Sequence, residues 1–301
     1  MKKYFIHIIL IILAFLPGCD KPGPTELVED EAIQVEILGK DLDNEYYSNG
    51  YDTSGVIENS YEYSSVISLS AMKLTVNGTT LKLSSAQAYL FDLSQPVYSP
   101  SHVLIGYKTI DPLPGVVRFN SIRAREREFR VKYRESGVLI DTVLGKRFEL
   151  FNRQGKIWGD PFDIAFDSQV NFLYNPLIGQ TISFDIPTPK EITASVKFIK
   201  RGDTEESGLQ LNWNGEQTEK FFIIIGGIRS SNEQAFPFFR IKTADDGSVF
   251  IPGELLKNIP KNKFNKFSIT FLRRYQSVKQ IRNSDLLINS QSIHTLLIDI
   301  P

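Results

Sequence analysis

Alternation of apolar and polar residues, the mark of a strand with one buried face, runs through much of this chain, whereas the spacing of an amphipathic helix is almost absent. The clearest case is MKLTVNGTTLKL, Met72 to Leu83, where Asn77-Gly78 separates two alternating runs. Both turn residues tolerate positive φ, so the stretch predicts a two-residue type I′ hairpin. Its register sets Met72 against Leu83, Leu74 against Leu81 and Val76 against Thr79 on one apolar face. The other face sets Thr75 against Thr80 and Lys73 against Lys82, a repulsive pair that predicts a solvated surface. Asn77-Gly78-Thr79 also matches a glycosylation sequon, but the turn reading is the better one.

Further strand runs follow: Val103 to Thr109, Gly115 to Ile122, Phe129 to Arg134, Val138 to Val143, Arg147 to Phe151, Gln169 to Tyr174 and Thr181 to Ile186. Ile33, Val35 and Ile37 alternate as well, which starts this region near residue 32. At IPTPKEIT, Pro187 and Pro189 bracket Thr188 and cannot both occupy central ladder positions, so a domain boundary is expected there. After it come Ile192 to Ile199, Leu209 to Trp213, Lys220 to Ile228, Phe236 to Thr243, Val249 to Ile251, Lys266 to Arg273 and Leu286 to Ile300. The expected fold is all-β, with two sandwich-like domains over 32–187 and 190–301. Uneven strand lengths favour a sandwich over a barrel for the first.

Seven runs in roughly 110 residues match the strand spacing of a sandwich. Within them LQLNWNGEQTEKFFIII resembles the second strand of a fibronectin type III or immunoglobulin-like module, and the resemblance implies that Trp213 is buried between the sheets. DDGSVFIPGELL, Asp245 to Leu256, resembles a hairpin plus short helix of sandwich domains in secreted bacterial lipoproteins. Such modules host so many roles that the resemblance implies no activity.

The N-terminus departs from alternation. Lys2 and Lys3 precede a twelve-residue apolar run, Tyr4 to Phe15, too short for a bilayer core that needs ~20 helical residues, and so read as a signal peptide over 1–18. Leu16, Pro17, Gly18 and Cys19 resemble the lipobox of bacterial lipoproteins, which implies cleavage before Cys19 and lipid attachment to its thiol. Cys19 is the only cysteine of the chain, so no disulfide competes for it. Residues 19–31, rich in Pro22, Pro24, Glu26, Glu29, Asp30 and Glu31, read as an extended tether. The expected partner is thus membrane lipid through Cys19, and the expected location the bacterial cell envelope, periplasmic or at the cell surface. Without the two lysines of the leader the charge is 32 minus 35, or −3, which gives no basis for nucleic-acid binding.

Candidate chemistry is sparse. His102 and His294 are the histidines left after the leader, the second in a strand-like run as a solvated rung, and neither has a catalytic setting. Serine-hydrolase elbows, zinc motifs and phosphate loops are missing from the sequence, so no cofactor and no metal is expected. Asp41, Asp43, Glu45 and Asp52 have the alternate spacing of calcium ligands, but Tyr46 stands where such a loop turns on glycine. Around them Tyr46, Tyr47, Tyr51, Tyr61 and Tyr63 offer amphipathic rings to a sugar or protein, or simply lie on their own domain. Two basic stretches, Arg118 to Arg134 and Lys257 to Arg282, read as solvated strand faces, with Phe129, Val131 and Tyr133 inward in the first. These readings favour a non-enzymatic binding, adhesion or assembly module with an envelope protein or glycan as partner. The alternative is an envelope hydrolase or carbohydrate-active enzyme with an acidic pair in the first β domain.

Overall fold

The computed structural model describes residues 33–38, 45–46, 63–153, 159–201, 206–217, 221–229, 235–257, 259–281 and 284–299. The strands of its first part are β1 (Gln34–Ile37), β2 (Glu45–Tyr46), β3 (Ser65–Val76), β4 (Thr79–Tyr98), β5 (Leu104–Thr109), β6 (Val116–Phe119), β7 (Ile122–Arg123), β8 (Arg125–Glu135), β9 (Val138–Arg153), β10 (Ser168–Asn175) and β11 (Ile182–Thr188). The second part holds β12 (Ala194–Arg201), β13 (Glu206–Trp213), β14 (Phe221–Ile228), β15 (Phe236–Thr243), β16 (Ser248–Pro252), the single-turn helix α1 (Gly253–Lys257), β17 (Lys266–Ile281) and β18 (Ser284–Asp299). The protein is all-β, as the alternation predicts.

Among the described residues eleven strands share one sheet, in the order β1-β15-β14-β17-β18-β3-β4-β9-β8-β2 with β5 on β4. Ten strands side by side at ~4.8 Å would set the outer two ~43 Å apart, whereas the eight peptide steps from Ile37 to Glu45 reach at most ~29 Å. The sheet is therefore coiled. Two smaller sheets cover one of its faces: β11-β10-β6-β7 over one end and β12-β13-β16 over the other.

The 72–83 hairpin forms in the expected register, with Asn77 and Gly78 at φ 49° and 79° and Thr75 bonded to Thr80 at 2.9 Å. The runs at 138–143 and 147–151 are one strand, β9, with a register shift opposite Phe129/Arg130. Gly145 at φ 129° makes this possible, because a Cβ there would lie 2.2 Å from Thr109 Oγ1. Pro187 sits in β11, an edge strand, where its missing N–H leaves no ladder bond unmade.

The expected boundary at 187–190 does not separate two bodies. Residues from Ile33 onward form one compact unit. The reason is β18, which pairs antiparallel with β17 along its whole length and parallel with β3 from Leu286↔Ser65 to Leu297↔Val76. Both layered cores rest on it. Leu286 and Ile288 belong to the core under β11-β10-β6-β7, with Phe119, Phe162 and Phe172. Leu296 belongs to the core under β12-β13-β16, with Trp213, Phe221, Phe236 and Phe271.

In that second core Trp213 is buried as the sequence resemblance implies, stacked on Phe221 with ring centroids 4.7 Å apart. Its indole N–H donates to Asp245 Oδ1 at 2.8 Å. Arg273, expected on a solvated face, is instead 1% exposed. Its guanidinium donates to both Asp245 oxygens (2.7 and 3.0 Å) and to the carbonyls of Lys190 (3.1 Å) and Asn214 (2.7 Å). A buried ion pair with this many partners is stable while complete and costly when halved. Asp245→Ala is expected to lower the unfolding free energy by ~3–5 kcal/mol in urea titrations, while the double change Arg273→Met/Asp245→Leu loses less than either partner removed alone.

Candidate functional site

The middle of β18 links the two cores with a polar row. On the covered face the residues run Leu286, Ile288, Ser290, Ser292, His294, Leu296, and the segment Thr188 to Ala194 crosses above the polar three. Ile192 N–H donates to Ser292 Oγ at 3.3 Å and Ala194 N–H to His294 Nδ1 at 3.1 Å. Lys73, opposite His294 on β3, is 8% exposed and lies 3.2 Å from Glu191. The face expected to be solvated is therefore covered at Lys73 but remains exposed at Lys82, and Glu191, 3.8 Å from Lys82 as well, offsets their repulsion.

His294 is correspondingly not a solvated rung; it is 5% exposed. A backbone N–H can only donate, so Nδ1 is the acceptor and Nε2 carries the proton, which it gives to Thr75 Oγ1 at 3.1 Å. This tautomer cannot take a proton from the threonine hydroxyl and holds no general base. Burial, reinforced by Lys73 and opposed by Glu191, lowers its pKa to about 4.

The other candidates fall apart in space. His102 is an exposed turn residue at φ 61° whose backbone N–H donates to Ser99. Cys19, Asp41, Asp43, Asp52, Tyr47, Tyr51 and Tyr61 lie outside the described residues. Glu45 and Tyr46 form β2, paired with Arg134 and Tyr133, and Tyr63 packs against the cluster of Val66, Tyr89 and Phe129. Among the described residues no three His, Cys, Asp or Glu side chains are grouped to hold a metal ion. In the first basic stretch Phe129, Val131 and Tyr133 are buried, and Arg130 on the outer face meets Glu128 (2.9 Å) and Asp141 (3.2 Å).

On the face away from the two small sheets lies a buried polar strip. Gln87 donates to Glu149 at 3.0 Å, Arg147 to the same carboxylate at 3.1 Å, and Gln291 to Ser70 at 3.3 Å. Asn289 Oδ1 and Gln291 Oε1 have no partner there, but both residues are buried and offer no open surface.

An open site exists at the far end of the first core. There β11-β10-β6-β7 and the large sheet line a pocket of about 460 Å³. Ile67 and Leu286 come from the large sheet, Ala88 and Leu90 from β4, and Val117, Phe172 and Ile182 from the cover. Ala88 carries only a methyl group opposite the larger Val117, Phe172 and Ile182 of the cover, which leaves space there. Ser65, Ser284 and Asp285 also line it; by strand alternation Ser65 and Ser284 share the pocket's face and Asp285 turns to the opposite one. The β10–β11 turn supplies a lip of Pro176, Leu177 and Ile178, with Leu177 and Ile178 exposed to 77% and 89%.

That lip is fixed at its base. Tyr174 Oη donates to Pro114 O at 2.7 Å, and Val116 pairs with Asn175. Gly115, at φ 90°, lies so close that a Cβ would fall 2.1 Å from the Asn175 carbonyl. Only glycine lets the two turns abut. No sequence signal marks this pocket, because its walls read as ordinary core positions.

Comparison with protein-family models, with curated proteins and with solved structures gives no match for this chain. The site must be read from its own chemistry.

The buried histidine makes one such reading measurable. An unfolded histidine titrates near ~6.5 while His294 folded titrates at about 4, so protonation below the first value favours the unfolded chain. Its contribution, on the order of 3 kcal/mol, is complete above the unfolded value and lost progressively as pH falls toward 4. Urea midpoints at pH 7.5 and 4.5 should differ less in His294→Asn than in the wild type.

Proposed function

We propose that this protein is a bacterial envelope lipoprotein, held to a membrane through Cys19, whose β body is a non-enzymatic binding module with the pocket between β4 and β10 as its binding site. The observation that carries the binding part is a preformed cavity of about 460 Å³ with apolar walls, two serines on its face and an exposed aliphatic lip. Ligand sites of ~300–1,000 Å³ share that build. Exposed side chains such as Leu177 and Ile178 contribute nothing to the fold and gain from contact with an apolar partner.

The three strands β12-β13-β16 facing β15-β14-β17-β18 around Trp213 support reading the C-terminal part as a fibronectin type III or immunoglobulin-like sandwich. Its role in this scheme is to carry the shared sheet. An apolar wall favours an apolar group over a glycan, whose hydroxyls need hydrogen-bond partners. A glycosidase needs two carboxyls ~5–9.5 Å apart, and Asp285 is the one acidic residue among the described residues that line the pocket.

Two measurements test the proposal. Mass spectrometry of the native product should show a chain beginning at a diacylglyceryl-modified Cys19, and Cys19→Ala should leave the membrane fraction. A neutral fluorescent apolar probe, N-phenylnaphthylamine, should bind the full chain, and Ala88→Phe should weaken it at least tenfold with the urea midpoint unchanged or raised. An intact leader sinks the anchor; a probe that does not bind the wild type sinks the pocket.

A further inference from the structure

We infer that the molecule taken by the pocket carries a negative charge on an otherwise apolar body, and that Lys279 at the flank of the pocket pairs with that charge. The inference rests on the binding role proposed above and adds the ligand's charge. Strand register locates the cation. Lys279 pairs with Leu286 and Ile281 with Ser284, and both partners line the pocket, so alternation sets Lys279 and Ile281 on the pocket's face of β17. On the cover, Ile182 pairs with Tyr174 and Phe184 with Phe172, again both lining residues. Ile281 and Ile182 line the pocket from its two layers, and one rung along the same strands stand Lys279 and Phe184. These two touch, with Nζ 4.8 Å from the centre of the Phe184 ring. That ring lies 5.1 Å from the ring of Phe172, a wall of the pocket. The ammonium therefore stands beside the cavity, between β11 and β17.

Charge at this flank is one-sided. Lys279 is exposed and forms no ion pair among the described residues; its contact is with an aromatic ring. The acids next to it along these strands point elsewhere. Asp285 turns to the opposite face of the large sheet, and Asp185, beside Phe184 on β11, lies on the outer face of the cover and accepts from Asn171 at 2.8 Å. Ser65 and Ser284, on the pocket's own face, carry hydroxyls that can donate. An anionic oxygen at this flank meets an ammonium and hydroxyl donors, whereas a cationic head meets a like charge. An uncharged molecule gains nothing from the ammonium. Since the lysine is exposed, its pull is that of a partly screened pair, about two- to fivefold in affinity. The apolar body has room, because the volume of about 460 Å³ is roughly three times the ~150 Å³ that admits benzene.

The test compares two probes with one apolar body, N-phenylnaphthylamine and its sulfonate, anilinonaphthalenesulfonate, each titrated by fluorescence against the full-length protein. Lys279→Met keeps the stem and removes the charge; it should weaken the sulfonate about threefold and leave the neutral probe unchanged. Lys279→Glu should weaken the sulfonate about tenfold. Added salt should weaken the sulfonate more in the wild type than in Lys279→Met. Lys197→Met, which removes an exposed cation from the other lid, should change neither probe, and Ala88→Phe should weaken both. Competition below micellar concentrations separates the sources of the charge. Displacement of the sulfonate by dodecanoate assigns a free carboxylate amphiphile, and displacement by dihexanoyl phosphatidylglycerol assigns a lipid phosphate. Displacement by neither, or by dodecyltrimethylammonium as readily as by either, overturns the anionic ligand. A Lys279→Met variant that affects both probes equally, or neither, overturns the charge assignment and leaves the binding role standing. A neutral probe that never binds the wild type removes both.

Discussion

The crossing of Thr188 to Ala194 over the polar row of β18 is the contact on which the rest of the architecture depends. A strand shared by two cores must be apolar at both ends, but its middle lies where neither cover reaches. Ser292 and His294 there accept the N–H groups of Ile192 and Ala194, and Arg273 takes the carbonyl of Lys190. Each would otherwise be a buried polar group without a partner, at ~1–3 kcal/mol apiece. The bonds convert what reads as a linker into a strap, and Ile192, fully buried in the second core, fastens its far end.

Sheet continuity follows from the same place. The parallel ladder of β18 and β3 joins the last long strand to the first, so both sandwich-like layers share one coiled sheet, each with its own lid. The pocket lies between the first lid and the shared sheet, next to the close abutment of Gly115 and Asn175.

Local rules made most strands legible. The Asn77-Gly78 hairpin, the alternation of Phe129, Val131 and Tyr133, and the edge position forced on Pro187 all follow from side-chain period and backbone chemistry. Long-range placement was not legible. Lys73 against Lys82 has every sign of a solvated face, which holds at Lys82, but the segment carrying Glu191, more than a hundred residues later, buries Lys73. Arg273 and His294 misled in the same way, since burial of a charged or titratable residue depends on partners such as Asp245 and Ala194 that no local pattern announces. The arm of β17 beyond Arg273 was missed because Gln276, Lys279 and Gln280 dilute its alternation.

Why the opening lies in the first core and not the second is a matter of side-chain volume. The second core is filled by large rings from both layers, with Phe221, Phe236, Phe238, Phe264, Phe267 and Phe271 around Trp213. In the first, the large sheet offers Ala71, Ala86 and Ala88 on β3 and β4, so the cover must supply the bulk, through Phe119, Phe162 and Phe172. A pocket nonetheless remains beside Ala88 and Phe172, and Leu177 and Ile178 of the turn after β10 are exposed at its edge. Packing to the density of the second core would need only one of those two side chains folded back. The chain instead fixes the turn with Gly115 and Tyr174 in the position that keeps both away.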